Sequence, residues 1–282
     1  MSMFNPKPIR LLLSALAIQT ASCCFAAPQP SFNYYGQLTT ELGLPFTPAD
    51  QATLLIRSGD RVISRCPVQR TGVAGCNYLA EIPLDSETTP YRDYALKSGA
   101  IVTFALADSN NREITIYPVG PVPSVGRPGT AKRLDLSAGR DSFGDGLTDA
   151  FRQSIVDASQ GQFTNLWQVL PGDDFDGDGM SNADEFRAGT DPTWAADILL
   201  ASDIRPEQDR LAFEFFAVEG IAYAIYGASE IDADGRFIWS RTPWSSAPES
   251  APESSLFTGR GRPATLYLPT DQQKQIYKLT VE

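Results

Sequence analysis

The 282-residue sequence predicts a mainly β protein, with two antiparallel β-sandwich-like domains joined by a short helical segment. Three observations lead there. Short apolar or alternating runs, divided by turn residues, fill both flanks of the chain, which is the period of half-buried strands. Two short helical patterns fit the middle, residues 141–191. That middle also carries eleven acidic residues against Arg152 and Arg187 alone, so its acid is clustered rather than spread.

Taken in order, residues 1–27 read as an export signal. Lys7 and Arg10 precede an apolar run at 11–18, and small residues follow, with Cys24-Phe25-Ala26 or Phe25-Ala26-Ala27 before a cut. The run is too short to span a bilayer. Lipoprotein processing before Cys23 is the alternative, with Thr20 standing where such signals usually carry leucine. The expected location is the medium or cell surface, with periplasm or outer-membrane lipoprotein as variants. If Cys23 and Cys24 leave with the signal, Cys66 and Cys76 remain, and an oxidising compartment predicts one disulfide between them. It would staple a hairpin across residues 67–75, contributing about 2.7 kcal/mol in the chain-entropy model.

The first β-domain is expected over 32–138, with strands at 32–38, 52–57, 61–66, 76–82, 101–107 and 113–117. Ser58-Gly59-Asp60 and residues 108–111 make hairpin turns. A proline and glycine series over 118–129 then leads to a last strand near 132–136. Residues 139–193 form the acidic segment. The second, smaller β-domain spans 194–282, with strands at 210–217, 221–228, 236–241, 264–268 and 275–281. Within it, Ala-Pro-Glu-Ser occurs twice in 245–255, the composition of a surface loop.

Composition narrows the chemistry. The sequence has no histidine, which removes Ser-His-Asp, Cys-His and His-zinc mechanisms together. Its formal charge of -11 repels nucleic acid and anionic membranes and attracts cations. Paired carboxylates or a Ser-Lys pair stay open.

Residues 174–185, DFDGDGMSNADE, match the twelve-residue calcium-loop pattern at every defined position. Acids at alternate positions turn inward when the backbone curls, and hard cations take oxygen ligands. Asp174, Asp176 and Asp178 are therefore assigned as side-chain ligands, Met180 as a carbonyl ligand and Asn182 as a direct or water-mediated one. Glu185 closes the shell with both oxygens, while Gly179 permits the sharp turn. Such a shell suits Ca2+ better than magnesium, and without thiolate or imidazole it suits zinc and copper poorly. Four like charges converging without a cation would repel by roughly 1 to 3 kcal/mol per pair.

Residues 141–152, DSFGDGLTDAFR, are a damaged copy. Asp141, Asp145, Gly146 and Asp149 fit, with Leu147 at the carbonyl position. Phe143 replaces a ligand acid and Arg152 replaces the closing glutamate. Either a weak second ion or a metal-free structural mimic is expected there. Helices follow both loops: Leu147, Phe151 and Ile155 line a stripe beside Thr148, and Ser181 with Asp184 resembles a capping box that Gly189 ends.

The two loops and the trailing Gly189-Thr190-Asp191-Pro192-Thr193 resemble thrombospondin type 3 repeat segments of exported bacterial proteins. The resemblance covers residues 141–193. It implies calcium-bound, rigid, non-catalytic spacers, with Asp191 assisting a neighbouring ion. Residues 35–38, 43–45 and 94–99 more weakly resemble the β-sandwich modules that accompany such repeats.

The leading expectation is thus a calcium-stiffened connector between two exported β-domains. A carbohydrate- or surface-binding module using Tyr34, Tyr35, Trp239 or Trp244 is the second. A hydrolase working through two carboxylates is the third, though no acid pair outside the acidic segment sits in a catalytic motif.

Overall fold

The computed structural model describes residues 29–85, 94–121, 124–252, 256–269 and 276–282. Residues 1–27, expected to be an export signal, and residues 253–255 of the Ala-Pro-Glu-Ser loop lie outside them.

The protein is mainly β. Its first unit holds β1 (Phe32–Gly36), β2 (Leu38–Thr39), β3 (Thr53–Ser58), β4 (Arg61–Pro67), β5 (Tyr78–Ile82), β6 (Thr103–Ala107), β7 (Glu113–Pro118), β8 (Ala131–Arg133) and β9 (Leu136–Ser137). These make a three-stranded sheet, β5-β1-β8, facing a six-stranded one, β2-β9-β7-β6-β3-β4. Alternation builds the core between them: β1 turns Phe32 and Tyr34 inward, and they meet Leu54, Ile56, Tyr78, Phe104 and Leu106. Two pairings, β1 with β8 and β2 with β9, are parallel, so this sandwich is not purely antiparallel.

The predicted hairpin between β4 and β5 does not form. These strands belong to different sheets, and the residues between them cross from one to the other. The expected disulfide is corrected accordingly, because Cys66 and Cys76 are both buried free thiols. Cys66 Sγ donates to the Leu79 carbonyl at 3.1 Å, whereas Cys76 sits near Arg133 and Asp135. Burial pushes both thiols above their ordinary range.

The second unit is antiparallel throughout. One sheet runs β10 (Ala201–Glu207), β11 (Arg210–Ala217), β15 (Arg262–Pro269). The other centres on β12 (Ala222–Ile231), with β13 (Phe237–Arg241) and β14 (Phe257–Thr258) along one edge and β16 (Ile276–Val281) along the other. Phe213, Phe215, Tyr223, Ile225, Trp244 and Leu266 fill the space between. The sequence pattern missed β10 because it is a polar, largely exposed edge strand interrupted by Pro206.

Between the units lie α1 (Asp149–Ala158) and α2 (Asn182–Ala188). Their small core joins Leu147, Phe151, Ile155 and Val169, with Phe151 and Phe186 edge-to-face at 5.0 Å. The two β-units also touch directly: Gln37 Nε2 donates to the Gly220 carbonyl at 3.1 Å, and Arg70 pairs with Glu219 at 2.7 Å. The helical segment therefore stands beside their joint as a buttress. Thr148 Oγ1 donates to the Glu41 carbonyl. Gly43 lies so close to α2 that a Cβ would stand 2.6 Å from the Phe186 carbonyl. A Cβ at Gly189 would stand 2.9 Å from the Leu44 side chain and 3.1 Å from that of Ile221. No helix among the described residues is long and apolar enough to cross a membrane.

Candidate metal centre

The loop ahead of α2 is shaped by its own side chains. Asp174 accepts the Gly177 N–H at 2.7 Å on one carboxylate oxygen and the Gly179 N–H at 2.9 Å on the other. Asp176 accepts from Asp178 N at 3.2 Å, and Asp178 from Met180 N at 2.6 Å. The chain can turn this tightly because Gly177 and Gly179 take φ of 80° and 97°. Ser181 then caps α2 by accepting from Asp184 N, and Gly189 ends it in the left-handed region.

One oxygen from each of Asp174, Asp176 and Asp178 lies within 4.8 Å of the other two. Ligands of one calcium ion, bound at 2.3–2.6 Å, stand at most about 5 Å apart, so this spacing fits. Glu185 is not among the acids whose oxygens converge within that distance, but it is fully buried, with neither carboxylate oxygen hydrogen-bonded. Burial, followed by the charges of Asp176, Asp178, Asp174 and Asp191, raises its pKa to about 8. Asp176 is shifted upward for the same reasons, burial first.

Asn182 is buried; its amide nitrogen donates to the Leu170 carbonyl at 2.8 Å, leaving Oδ1 without a partner. Asp176 Oδ2 and Asp178 Oδ2 are likewise buried and partnerless. Met180 donates its N–H to Asp178 and accepts from Leu199 N on sulfur at 3.3 Å, which ties the loop to the chain entering β10. The residue that sequence reasoning overlooked is Thr190, whose buried hydroxyl also has no partner. Its position after Gly189, ahead of the acidic Asp191, was the available signal. Asp191 itself is engaged by Thr193 through its backbone N–H and hydroxyl.

An unsatisfied buried polar group costs about 1–3 kcal/mol, and more when charged. Five such oxygens, on Asp176, Asp178, Asn182 and Glu185, are an arrangement that a divalent cation resolves. The donor set is all oxygen, which matches calcium and not a thiophilic metal.

Residues 174–195 match the family model of the bacterial TSP3 repeat. That repeat is calcium-binding, so the matched segment is of the kind that the geometry describes. No curated protein and no solved structure matches the chain.

The loop ahead of α1 lies outside the matched residues. Asp141 accepts from Phe143 N, Gly144 N and Gly146 N, and Asp149 from the N–H and hydroxyl of Ser142. Asp145 accepts from Leu147 N at 3.3 Å and is otherwise held by Arg152. Leu147 buries its side chain against Phe151 and Ile155. Of the aromatic candidates for carbohydrate, Tyr34 and Trp244 are core residues, and the Trp239 ring lies under Lys278 at 4.6 Å. Tyr35 is half-buried in β1.

Proposed function

We propose that this chain binds one Ca2+ through Asp174, Asp176, Asp178, the Met180 carbonyl, Asn182 and Glu185, and that the ion braces the joint between two exported β-units. The observation that carries this is Glu185: a fully buried carboxylate, both oxygens partnerless, within the electrostatic reach of three converging aspartates. Bound calcium would supply the charge that lets Glu185 and the triad coexist. It would thereby order α2, whose Phe186 and Gly189 press against Gly43, Leu44 and Ile221.

The role is that of a non-catalytic scaffold. A cleft of about 760 Å³ opens where the units meet, lined among the described residues by Arg70, Arg260 and Arg262 and by one carboxylate, Glu219, which is paired with Arg70. The basic and apolar pattern of residues 1–27 supports export to the medium, surface or periplasm.

Calorimetry with calcium on the purified mature protein tests the proposal. At a hundredfold excess over Kd, one ion adds about 2.7 kcal/mol, raising Tm by roughly 5–10 °C. Asp178→Ala should abolish both heat and shift. A wild-type protein giving neither at millimolar calcium would sink the proposal.

A further inference from the structure

We infer that the loop ahead of α1 carries its own cation: the guanidinium of Arg152 takes the place of a metal ion, so this loop is closed permanently and the chain responds to calcium at one site only. In both loops the first aspartate accepts the N–H groups three and five residues on: Asp141 from Gly144 and Gly146 at 2.7 and 2.8 Å, Asp174 from Gly177 and Gly179 at 2.7 and 2.9 Å. The glycines match as well, Gly144 and Gly146 having φ of 71° and 98°. The backbone is thus the same, and the two loops differ in what closes them.

In the second loop the closing residue is Glu185, unpaired. In the first it is Arg152, whose side chain is 1% exposed. One terminal nitrogen grips Asp145 with both carboxylate oxygens accepting, the first at 2.5 Å. The other donates to the carbonyls of Val169 and Leu166, the chain segment that covers α1. Above the guanidinium lies the ring of Phe143, 4.5 Å away, at the position where a second ligand acid would stand. Oxygen acceptors on both terminal nitrogens and an aromatic face offset the burial of this positive charge, and only Nε is left without a hydrogen-bond partner. Both replacements that damage the calcium pattern, Phe143 and Arg152, are the residues that build this substitute. A tethered cation also repels a divalent ion from the same acids. Among the described residues, the one buried and partnerless polar atom of this loop is Arg152 Nε, a donor that a metal ion would not satisfy, whereas those of the second loop are all oxygens.

The inference rests on the calcium assignment only for its count of one ion; the closure by Arg152 stands without it. Native mass spectrometry in calcium acetate gives the count for four proteins. The wild type should carry one ion and Asp178→Ala none. In the Asp178→Ala background, Phe143→Asp with Arg152→Glu should restore one ion, at a Kd of about 10⁻⁴–10⁻³ M, the range of extracellular calcium modules. Arg152→Gln in that background should bind none. A second ion on the wild type, an ion on Asp178→Ala, or a folded Phe143→Asp/Arg152→Glu chain that stays empty would overturn the inference. If the engineered chain fails to fold, hydrogen exchange on the wild type in chelator decides. The amides of Gly144 and Gly146 should keep their protection while those of Gly177 and Gly179 lose at least tenfold, and equal loss in both loops would overturn closure by Arg152. No ion on the wild type, with Gly144 and Gly146 still protected, would defeat the calcium assignment alone.

Discussion

The loops ahead of α1 and α2 share a hydrogen-bonded backbone, yet one ends on a buried arginine and the other on a buried glutamate. The first is electrostatically finished: Asp145 and Arg152 pair, and Asp141 and Asp149 accept backbone and serine donors. The second leaves Glu185 with a pKa near 8 and no partner, a group that needs something from outside the chain. Glycines and the leading aspartate therefore set the shape of such a loop, while the third and twelfth positions decide what sits in it. Nature of the occupant and shape of the backbone are separable properties.

Breaking the second closure should have the largest effect. Glu185→Gln is expected to weaken calcium binding by more than about 100-fold, beyond the loss typical for groups that merely orient a ligand. In chelator the sign should reverse, because Glu185, with its pKa raised to about 8, must take up a proton on folding at neutral pH whereas an amide need not, and the variant should be more stable by roughly 1–3 kcal/mol. Thermal melts with and without calcium read both signs in one experiment. Breaking the first closure should act in one direction only. Arg152→Met strands Asp145, the Val169 carbonyl and the Leu166 carbonyl, and is expected to cost about 2–3 kcal/mol at any calcium concentration, less than a fully buried pair because Asp145 is a third exposed. Urea midpoints in calcium and in chelator should fall equally; a loss that calcium repairs would mean that the first loop takes an ion after all.

Much of this was legible in the residues. Alternation in 210–217 matches β11 to the residue, and Thr148, Ser181 and Gly189 mark helix ends where the structure has them. Three aspartates at alternate positions do converge. What escaped was long-range. The pairing of β8 with β1 and of β9 with β2 depends on where the chain returns after a proline-rich stretch, and no local pattern records that return. The cysteines failed for the same reason, since nearness in sequence does not reveal that β4 and β5 lie in different sheets. The joint was illegible as well: nothing in the sequence pattern gives Gly43, Pro45 or Gly220 a distant neighbour, and only the folded chain shows Gly43 against Phe186 and Gly220 against Pro45.

The helix caps sharpen the comparison at a finer scale. Thr148 and Ser181 play the same local part, each accepting an N–H three residues on at 3.2 Å. Their hydroxyl protons go to different places. Ser181 donates to Asp184 within its own turn, whereas Thr148 donates to the Glu41 carbonyl, across to the first β-unit. Ser181→Ala should therefore cost about 1 kcal/mol, the value of a cap alone. Thr148→Val, which keeps the shape, removes a cap and leaves a carbonyl at the joint without its donor, and should cost about 2 kcal/mol. A double variant of Thr148→Val with Gln37→Ala would show whether Glu41 and Gly220 act on the same joint. Strict additivity of the two losses would place the two contacts in independent structures, while a coupling above about 0.5 kcal/mol would make the first loop a working part of the hinge between the β-units.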